Sequence, residues 1–580
     1  MAMHIKSRVE ETAILALLGA AVAVTVISLF AVGATGYLPS TALGLPSKLH
    51  AIALWGAVAI GLIVGGLYGL SQERDTHLRG ARYYGDPREA QPVLQRMQRE
   101  RMHSRQKCHH VRGVEIAGVE LAMRTEVEHL YIEGLTGGGK TVLLESIIDQ
   151  ILARGDRLVL FDPKGDLASR YFEPDTCELL GPWDQRAAMW DARADLGETA
   201  LVDEFAASVL GVHEAGGEAK EWRQAAAALL AGIIRSYMVG GQAWTWADIG
   251  DALTHGPVAL IQRAAAGDPL IRHDFASVFP APGDTDHKPH IDKRGGSVTG
   301  VMSTAIRWLA TYARVDAKDE FRHRFSPKRW LLRQAHANTR IVFLNHSTLH
   351  AAAAEQLFGA TLASMAAVVA SPEMPEQSAD APHTWFILDE FPQAGTTAFK
   401  AIQKLGEMGR SRGCAVVLAI QHEKQIAEKL GEAGAAAVLE QQVTRIYMKT
   451  GPATAEAISH RIGQREIDRI ETTAQNGAVL GKNKRTMTEQ VILPGELMAL
   501  TAKIKGAGRG AQLILHSGDV LGKLTQRFPD ERPPQAKAFI PSETWAHGTL
   551  PDMPAADTAE HSEIGSDTDG ADAGSNIDFD

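Results

Sequence analysis

Residues 134–141 read Gly-Leu-Thr-Gly-Gly-Gly-Lys-Thr, and no other stretch of this chain restricts its fold as much. A G-x-x-x-x-G-K-[ST] segment works only where a buried strand runs into it and a helix starts from it. His129–Glu133 reads as that strand, and Val142–Ala153 is apolar at helical spacing. The pattern therefore predicts an α/β fold with a central parallel sheet. In such a loop Gly134, Thr136, Gly137, Gly138 and Gly139 let successive backbone N–H groups converge on phosphate oxygens, and the helix N-terminus adds its dipole. Lys140 is expected at the β- and γ-phosphates of ATP, with Thr141 as a ligand of Mg²⁺.

A second run, Trp385-Phe-Ile-Leu-Asp389-Glu390, is apolar up to two acids. Asp389 is expected to hold Mg²⁺ through water, and Glu390 to orient and deprotonate the attacking water. Ala415–Ile420 is another apolar run and ends at Gln421. A glutamine at a strand tip there contacts both the γ-phosphate and the lytic water. Arg410 and Arg412 precede this strand, and in ring ATPases an arginine so placed reaches a neighbour's γ-phosphate. Either arginine is equally readable as a charge at a helix C-terminus. The chain has no guanine-reading Asn-Lys-x-Asp, so a GTPase is not expected.

At 580 residues the chain exceeds one ordinary domain. No charged residue lies between Glu11 and Lys48, and Leu49–Leu70 is also free of charge. Each run is long enough to cross a bilayer, which takes about 20 residues, so residues 1–72 are expected to form a transmembrane hairpin. Lys6, Arg8, Arg74, Arg79, Arg82 and Arg88 flank the pair outside and only Lys48 lies between. That bias places both termini and the ATPase in the cytoplasm.

Arg157–Asp162 and Arg340–Leu344 read as further core strands, as do Arg445–Met448 and Gln512–Leu515. Between the first two, the sequence is Ala-rich with helical periodicity. The expected division is a nucleotide-binding part in residues 73–183, an inserted all-α domain in 184–334, and the rest of the nucleotide-binding domain in 335–528. A disordered acidic tail is expected in 529–580. From Pro551 onward there are nine Asp or Glu and no Lys or Arg, which accounts for most of the net charge of −10. Global charge thus neither supports nor excludes DNA. The clusters around Arg96–Lys107, Arg322–Arg329 and Lys482–Arg485 are readable as solvated faces or as phosphate contacts. Three scattered cysteines form no disulfide framework, and Cys108-His109-His110 reads as a polar loop because no second cluster completes a metal site.

Taken together, the parts resemble the type IV secretion coupling proteins, the TraG/TraD-like ATPases of conjugation. The resemblance rests on Ile116-Ala-Gly-Val119, Gly134–Thr141, Phe161-Asp-Pro-Lys-Gly-Asp166, Leu388-Asp-Glu-Phe391 and Gly409-Arg-Ser-Arg-Gly413 leading to Gln421, in that order. It implies a RecA-like P-loop core and a homohexameric ring at a bacterial inner membrane. Such a ring recruits single-stranded DNA with its relaxase complex and feeds them to the secretion channel using ATP. It also implies that Arg410 is the finger, that the helical insertion faces away from the membrane, and that the variable tail docks a partner. His422 departs from the family, where a small hydroxyl residue is common. The weighed alternatives are an FtsK-like chromosome translocase, which usually has more spans and a C-terminal winged-helix reader, and a receptor that uses ATP only to assemble.

Overall fold

The computed structural model describes residues 76–102 and 112–546, apart from 213–214, 242, 282–283, 285, 318–322, 346–347, 378–381, 476–477, 503–508 and 529–531. The expected transmembrane hairpin, Cys108-His109-His110 and the acidic residues after 546 lie outside the described residues.

The principal strands are β1 (Thr76–Arg79), β2 (Arg82–Tyr84), β3 (Leu130–Glu133), β4 (Arg157–Asp162), β5 (Cys177–Leu180), β6 (Ile341–Asn345), β7 (Thr384–Leu388), β8 (Cys414–Ile420), β9 (Thr444–Tyr447), β10 (Gln464–Gln475), β11 (Ala478–Gln490), β12 (Gly510–Ser517) and β13 (Val520–Arg527). Ten of them form one sheet in the order β2-β13-β12-β9-β3-β8-β7-β4-β6-β5. From β9 to β5 all neighbours are parallel; β12 joins antiparallel to β9, and β13 antiparallel to β12. Continuous apolar runs suit this arrangement because helices cover both faces of a parallel sheet.

Side chains alternate between two cores, as a pleated strand requires. Leu158, Leu160, Trp385, Ile387, Val417 and Ala419 pack on one side with Leu143, Leu144, Ile147, Ile148 and Ile151 of helix α1 (Lys140–Arg154). Val159, Phe161, Phe386, Leu388, Val416 and Leu418 pack on the other, against Phe358 of α3 (Ala351–Ala370). Gly155, at φ 98°, stops α1, its N–H reaching the carbonyls of Ile151 and Leu152. Among the described residues α3 alone is long and apolar enough to cross a bilayer, but it is a core helix, 72% buried over its most apolar window.

Between β5 and β6 the elements among the described residues are helices, apart from the short strands Met189–Trp190 and Arg324–Phe325, which pair in parallel. The longest helix there, α2 (Gly217–Val239), crosses the helix Pro257–Gly267 at backbone contact. A Cβ on Gly232 would lie 2.6 Å from the Ala264 carbonyl oxygen, and one on Gly267 would lie 2.1 Å from that of Gly232.

Two departures from the sequence expectations stand out. Strand β5 and the ribbon β10–β11 carry no clear apolar alternation and were not foreseen. The tail expected from 529 does not leave the body there, because residues 532–546 run back along it. Gln535 and Ala536 donate to the Ser169 carbonyl, and Gln185 donates to that of Ile540. The Trp545 ring then packs edge-on to Trp183 at 5.7 Å. Proline and lysine masked this strap in the sequence, since most of its bonds use its own backbone groups and need no pattern, and its ion pair of Arg532 with Asp149 joins residues far apart in sequence.

Gly232→Val should lower stability by about 1–3 kcal/mol through overpacking. Gly300→Ala, in a helix with nothing within 4 Å of the new methyl, should raise it by up to about 1 kcal/mol. Thermal unfolding midpoints of the two variants test this contrast.

Candidate nucleotide site

Strand β3 delivers the glycine loop between β8 and β9, with Glu133 opposite Ile420 on one side and Tyr447 on the other. The loop is tied to both neighbours: Gly134 N–H donates to the Ile420 carbonyl at 3.3 Å, and Leu135 N–H to that of Lys449 at 2.8 Å. Gly134 has no room for a side chain, since a Cβ would lie 2.9 Å from Cβ of Met448. Gly137 and Gly139 take φ of 74° and 98°, the left-handed region that glycine enters without strain. Gly139 caps α1, so the free N–H groups of that helix face the loop.

Lys140 Nζ donates to the carbonyls of Gly134 at 2.7 Å and Leu135 at 3.3 Å, folded onto the loop it belongs to. Burial lowers its pKa, and Glu390 and Asp389 act against that change. Glu133 is fully buried, and its nearest cation is Arg461 Nη1 at 3.8 Å. Burial pushes its carboxyl up to about 7 against the attraction of Arg461.

Asp389 follows β7 and is placed by backbone, its N–H donating to the Phe161 carbonyl at 3.1 Å. Its Oδ2 accepts from Thr141 Oγ1 at 3.4 Å. A hydroxyl and a carboxylate converging in this way form the hard-oxygen set that suits Mg²⁺. Burial raises the Asp389 pKa, opposed by Lys164 and Lys140. Glu390 sits at φ 58°, an uncommon left-handed conformation for a non-glycine residue. Gln421 Nε2 donates to Glu390 Oε2 at 2.8 Å, and Thr136 Oγ1 donates to Gln421 Oε1 at 2.9 Å. The glutamine thus joins the loop to the acid through one side chain. His422, beside it, accepts from the Lys424 N–H at 3.1 Å and makes no such link.

Lys164 reaches the site from the loop after β4. Asp162 shapes that loop by accepting from the N–H groups of Gly165 at 3.0 Å and Ala168 at 2.7 Å, and burial lifts its pKa to about 6. The C-terminal strap crosses the same loop, because a Cβ on Gly165 would lie 2.9 Å from the Ala538 carbonyl.

The two arginines before β8 differ. Arg412 donates to the Met374 carbonyl and is used within its own subunit. Arg410 is half-exposed and pairs through Nη2 with Glu128 Oε1 at 2.9 Å. Buried Glu128 also pairs with Arg101 and lies 3.8 Å from Arg124. An acid two residues before a buried strand gives no sequence signal, and this anchor was missed. β8 spans seven residues, about 20 Å at strand rise, so Arg410 and Lys140 lie at opposite edges of the sheet. Of the remaining basic clusters, Lys328 is engaged by Glu198 and Glu373, and Arg324 by Asp316. Among the described residues no group of His, Cys, Asp or Glu is arranged to hold a metal by itself.

Residues 113–509 match the family model described as the type IV secretion-system coupling protein DNA-binding domain. Over 78 residues the chain is 27% identical to the coupling protein TraD of Escherichia coli K12, a match that takes in 13% of this chain and 11% of TraD. The fold is similar to that of the conjugative coupling protein TrwB in its unbound monoclinic form, with a TM-score of 0.63 and 19% identity over 80% of this chain and 96% of the other. It is similar too to TrwB in complex with ADP and Mg²⁺, with a TM-score of 0.62 and 20% identity over 80% and 98% of the two chains. The core is thus a mixed α/β, RecA-like one.

Because the folded-state pKa of Glu133 lies above its ordinary value, the carboxyl favours the fold when protonated. Its contribution is complete below about pH 4.5 and is lost as pH rises through about 7. Glu133→Gln should therefore flatten the fall in unfolding midpoint between mildly acidic and mildly alkaline solution. An unchanged pH slope would remove Glu133 as its source.

Proposed function

The chain belongs to the family of type IV secretion-system coupling proteins, and from that premise we propose that it is their ATP-driven motor: an inner-membrane ATPase that recruits a DNA–relaxase substrate and moves single-stranded DNA toward the secretion channel. The observation that carries the motor reading is the hydrogen-bonded chain Thr136–Gln421–Glu390 set beside Lys140. A protein that only binds ATP has no use for an acid tied to the phosphate loop through a glutamine.

Lys140 exchanges the carbonyls of Gly134 and Leu135 for the β- and γ-phosphate oxygens. Thr141 and Asp389 would hold Mg²⁺, which would supply positive charge against the phosphates. Glu390 orients water and takes its proton as the water oxygen attacks the γ-phosphorus and the bond to ADP breaks. Loss of the γ-phosphate changes what Gln421 contacts, and β8 carries that change into the sheet. Arg410 lies too far from its own P-loop to act there, so it serves the site of the next subunit in a homohexamer. DNA is held through backbone phosphates without sequence preference.

The proposed organisation is a two-span hairpin in residues 1–72 with both termini cytoplasmic, a nucleotide-binding domain in 73–183 and 335–528, and an all-α insertion in 184–334. The acidic residues after 546 dock a protein of the transfer complex. Complexes of TrwB with ADP and Mg²⁺ and with the ATP analogue ADPNP support the cofactor assignment.

Full-length protein should hydrolyse ATP faster with single-stranded DNA, and Lys140→Ala should abolish both rates. Hydrolysis indifferent to DNA would move the function to protein export. Arg410→Ala should lower turnover by about 10³-fold or more. Mixing it with Lys140→Ala should recover part of the rate, because mixed interfaces join an intact loop to an intact arginine. Two inactive variants that stay inactive when mixed would show that Arg410 does not act between subunits.

A further inference from the structure

Beside the phosphate loop two acids share one guanidinium that neither the loop nor the metal-binding pair uses. Arg461 lies in the last turn of the helix Pro452–Ile462. Its Nη2 pairs with Glu423, and its Nη1 stands 3.8 Å from Glu133. Glu133 is the residue before Gly134, at the root of the phosphate loop, and Glu423 comes two residues after Gln421. Glu423 is also the N-cap residue of the helix Lys424–Glu440, its carbonyl accepting from the Ile426 N–H at 2.9 Å. Gln421 and His422 are thus a short link between the end of β8 and an anchored helix start.

The helix of Arg461 is tied to the loop at its other end as well. Lys449, just before it, accepts from the Leu135 N–H at 2.8 Å. Past Arg461 the chain turns at Gly463, φ 88°, into β10, and the Gly463 carbonyl accepts from the Val491 N–H at 3.1 Å. Ser459 Oγ donates to the Ile492 carbonyl at 2.6 Å. Arg461 therefore stands where the loop root, the Gln421 segment and the base of the ribbon β10–β11 meet.

This bridge is made unevenly. At the edge where the strands begin, Arg154 meets buried Glu126 through two hydrogen bonds, at 3.0 and 2.8 Å. Glu133 is as deeply buried as Glu126. Its carboxylate oxygens nevertheless make no close hydrogen bond, and the Tyr131 hydroxyl and Arg461 are only in loose contact with them. A pair kept for the fold alone would be closed as that of Arg154 is, because an unsatisfied buried carboxylate costs stability. An open pair leaves the guanidinium room to shift between its two acids. Arginine suits such a place, being always charged and carrying its donors in a rigid fork. Engaged by acids on both sides, Arg461 does not itself meet phosphate.

We infer that Arg461 is a positioning residue for hydrolysis: by bridging Glu423 and Glu133 it fixes the Gln421 segment against the root of the phosphate loop. The inference rests on the reading of Gln421 as the group that meets the γ-phosphate and the lytic water. When the γ-phosphate leaves and Gln421 moves, Glu423 moves with it and Arg461 closes on Glu133. The base of the ribbon, joined to Arg461 through Gly463, receives the same displacement.

The test is ATP turnover by the full chain. Arg461→Gln should lower kcat by about 10–100-fold, the effect of a displacement of about 1 Å, and leave KM for ATP within about twofold. Arg461→Lys should recover part of the rate, since a point charge keeps the attraction without the fork. In a Gln421→Ala background, Arg461→Gln should cause no further loss, because both act on one alignment. Glu423 is part-exposed, so Glu423→Gln should reproduce the fall in kcat with the parent's unfolding midpoint. Equal slowing by Arg461→Gln in both backgrounds would show that the arginine acts apart from Gln421 and overturn the inference. Glu423→Gln turning over at the parent's rate overturns it too. Gln421→Ala at the parent's rate overturns the reading of the glutamine itself, and this inference with it.

Discussion

The site depends on backbone register more than on any side-chain contact. Ile420 stands opposite Glu133, Leu388 opposite Leu418, and Leu388 opposite Phe161. β3 and β8 therefore end at one level and β7 two residues short of it, and the residue after each end is Gly134, Gln421 or Asp389. A slip of one residue in any of these pairs would move its terminal side chain by about 3.3 Å and turn it to the other face. Alternation between two dry cores prevents that slip, since every residue of β4, β7 and β8 is buried.

The two edges of the sheet handle charge in opposite ways. At the edge where the strands begin, Arg154 pairs with Glu126 and Asp156, and Asp156 also accepts from Trp385 Nε1 at 2.8 Å and from the His383 N–H at 3.2 Å. Buried charge there is matched by charge and hydrogen bonds, which is how a fold tolerates it. At the phosphate edge, Glu133 and Asp389 are raised by burial and Lys140 is lowered by it. Carboxylates and ammonium are held close without full mutual satisfaction, the condition in which an arriving phosphate and cation change the balance most.

Much of the core was readable because its strands are continuous apolar runs and its chemistry sits at their ends. The loop 134–141, the acids at 389–390 and Gln421 are positions that a strand must end to create, so composition and place coincide. β10 and β11 are half polar and satisfied by cross-strand pairs such as Arg465–Glu489, leaving no apolar periodicity to detect. The strap 532–546 is bound through its backbone groups, an ion pair of Arg532 with Asp149 and two tryptophans far apart in sequence. Glu128 is an ordinary acid until folding brings Arg410, Arg101 and Arg124 around it. Position alone left Arg410 and Arg412 equivalent, with only the family resemblance favouring Arg410; in the fold the Met374 carbonyl engages Arg412 and Glu128 engages Arg410.

That separation bears on how a ring of these subunits would communicate. β8 has Arg410 before its first residue and Gln421 after its last. It is a seven-residue strand buried along its whole length between two parallel neighbours. Such a strand transmits displacement better than a loop, because its cores resist local repacking. On the proposed assembly, Arg410 reads the neighbour's γ-phosphate and Gln421 reads the subunit's own. One rigid element then connects two nucleotide sites. Glu128 supplies what that connection lacks in an isolated subunit, a buried counter-charge that holds the arginine at the surface until a phosphate competes for it.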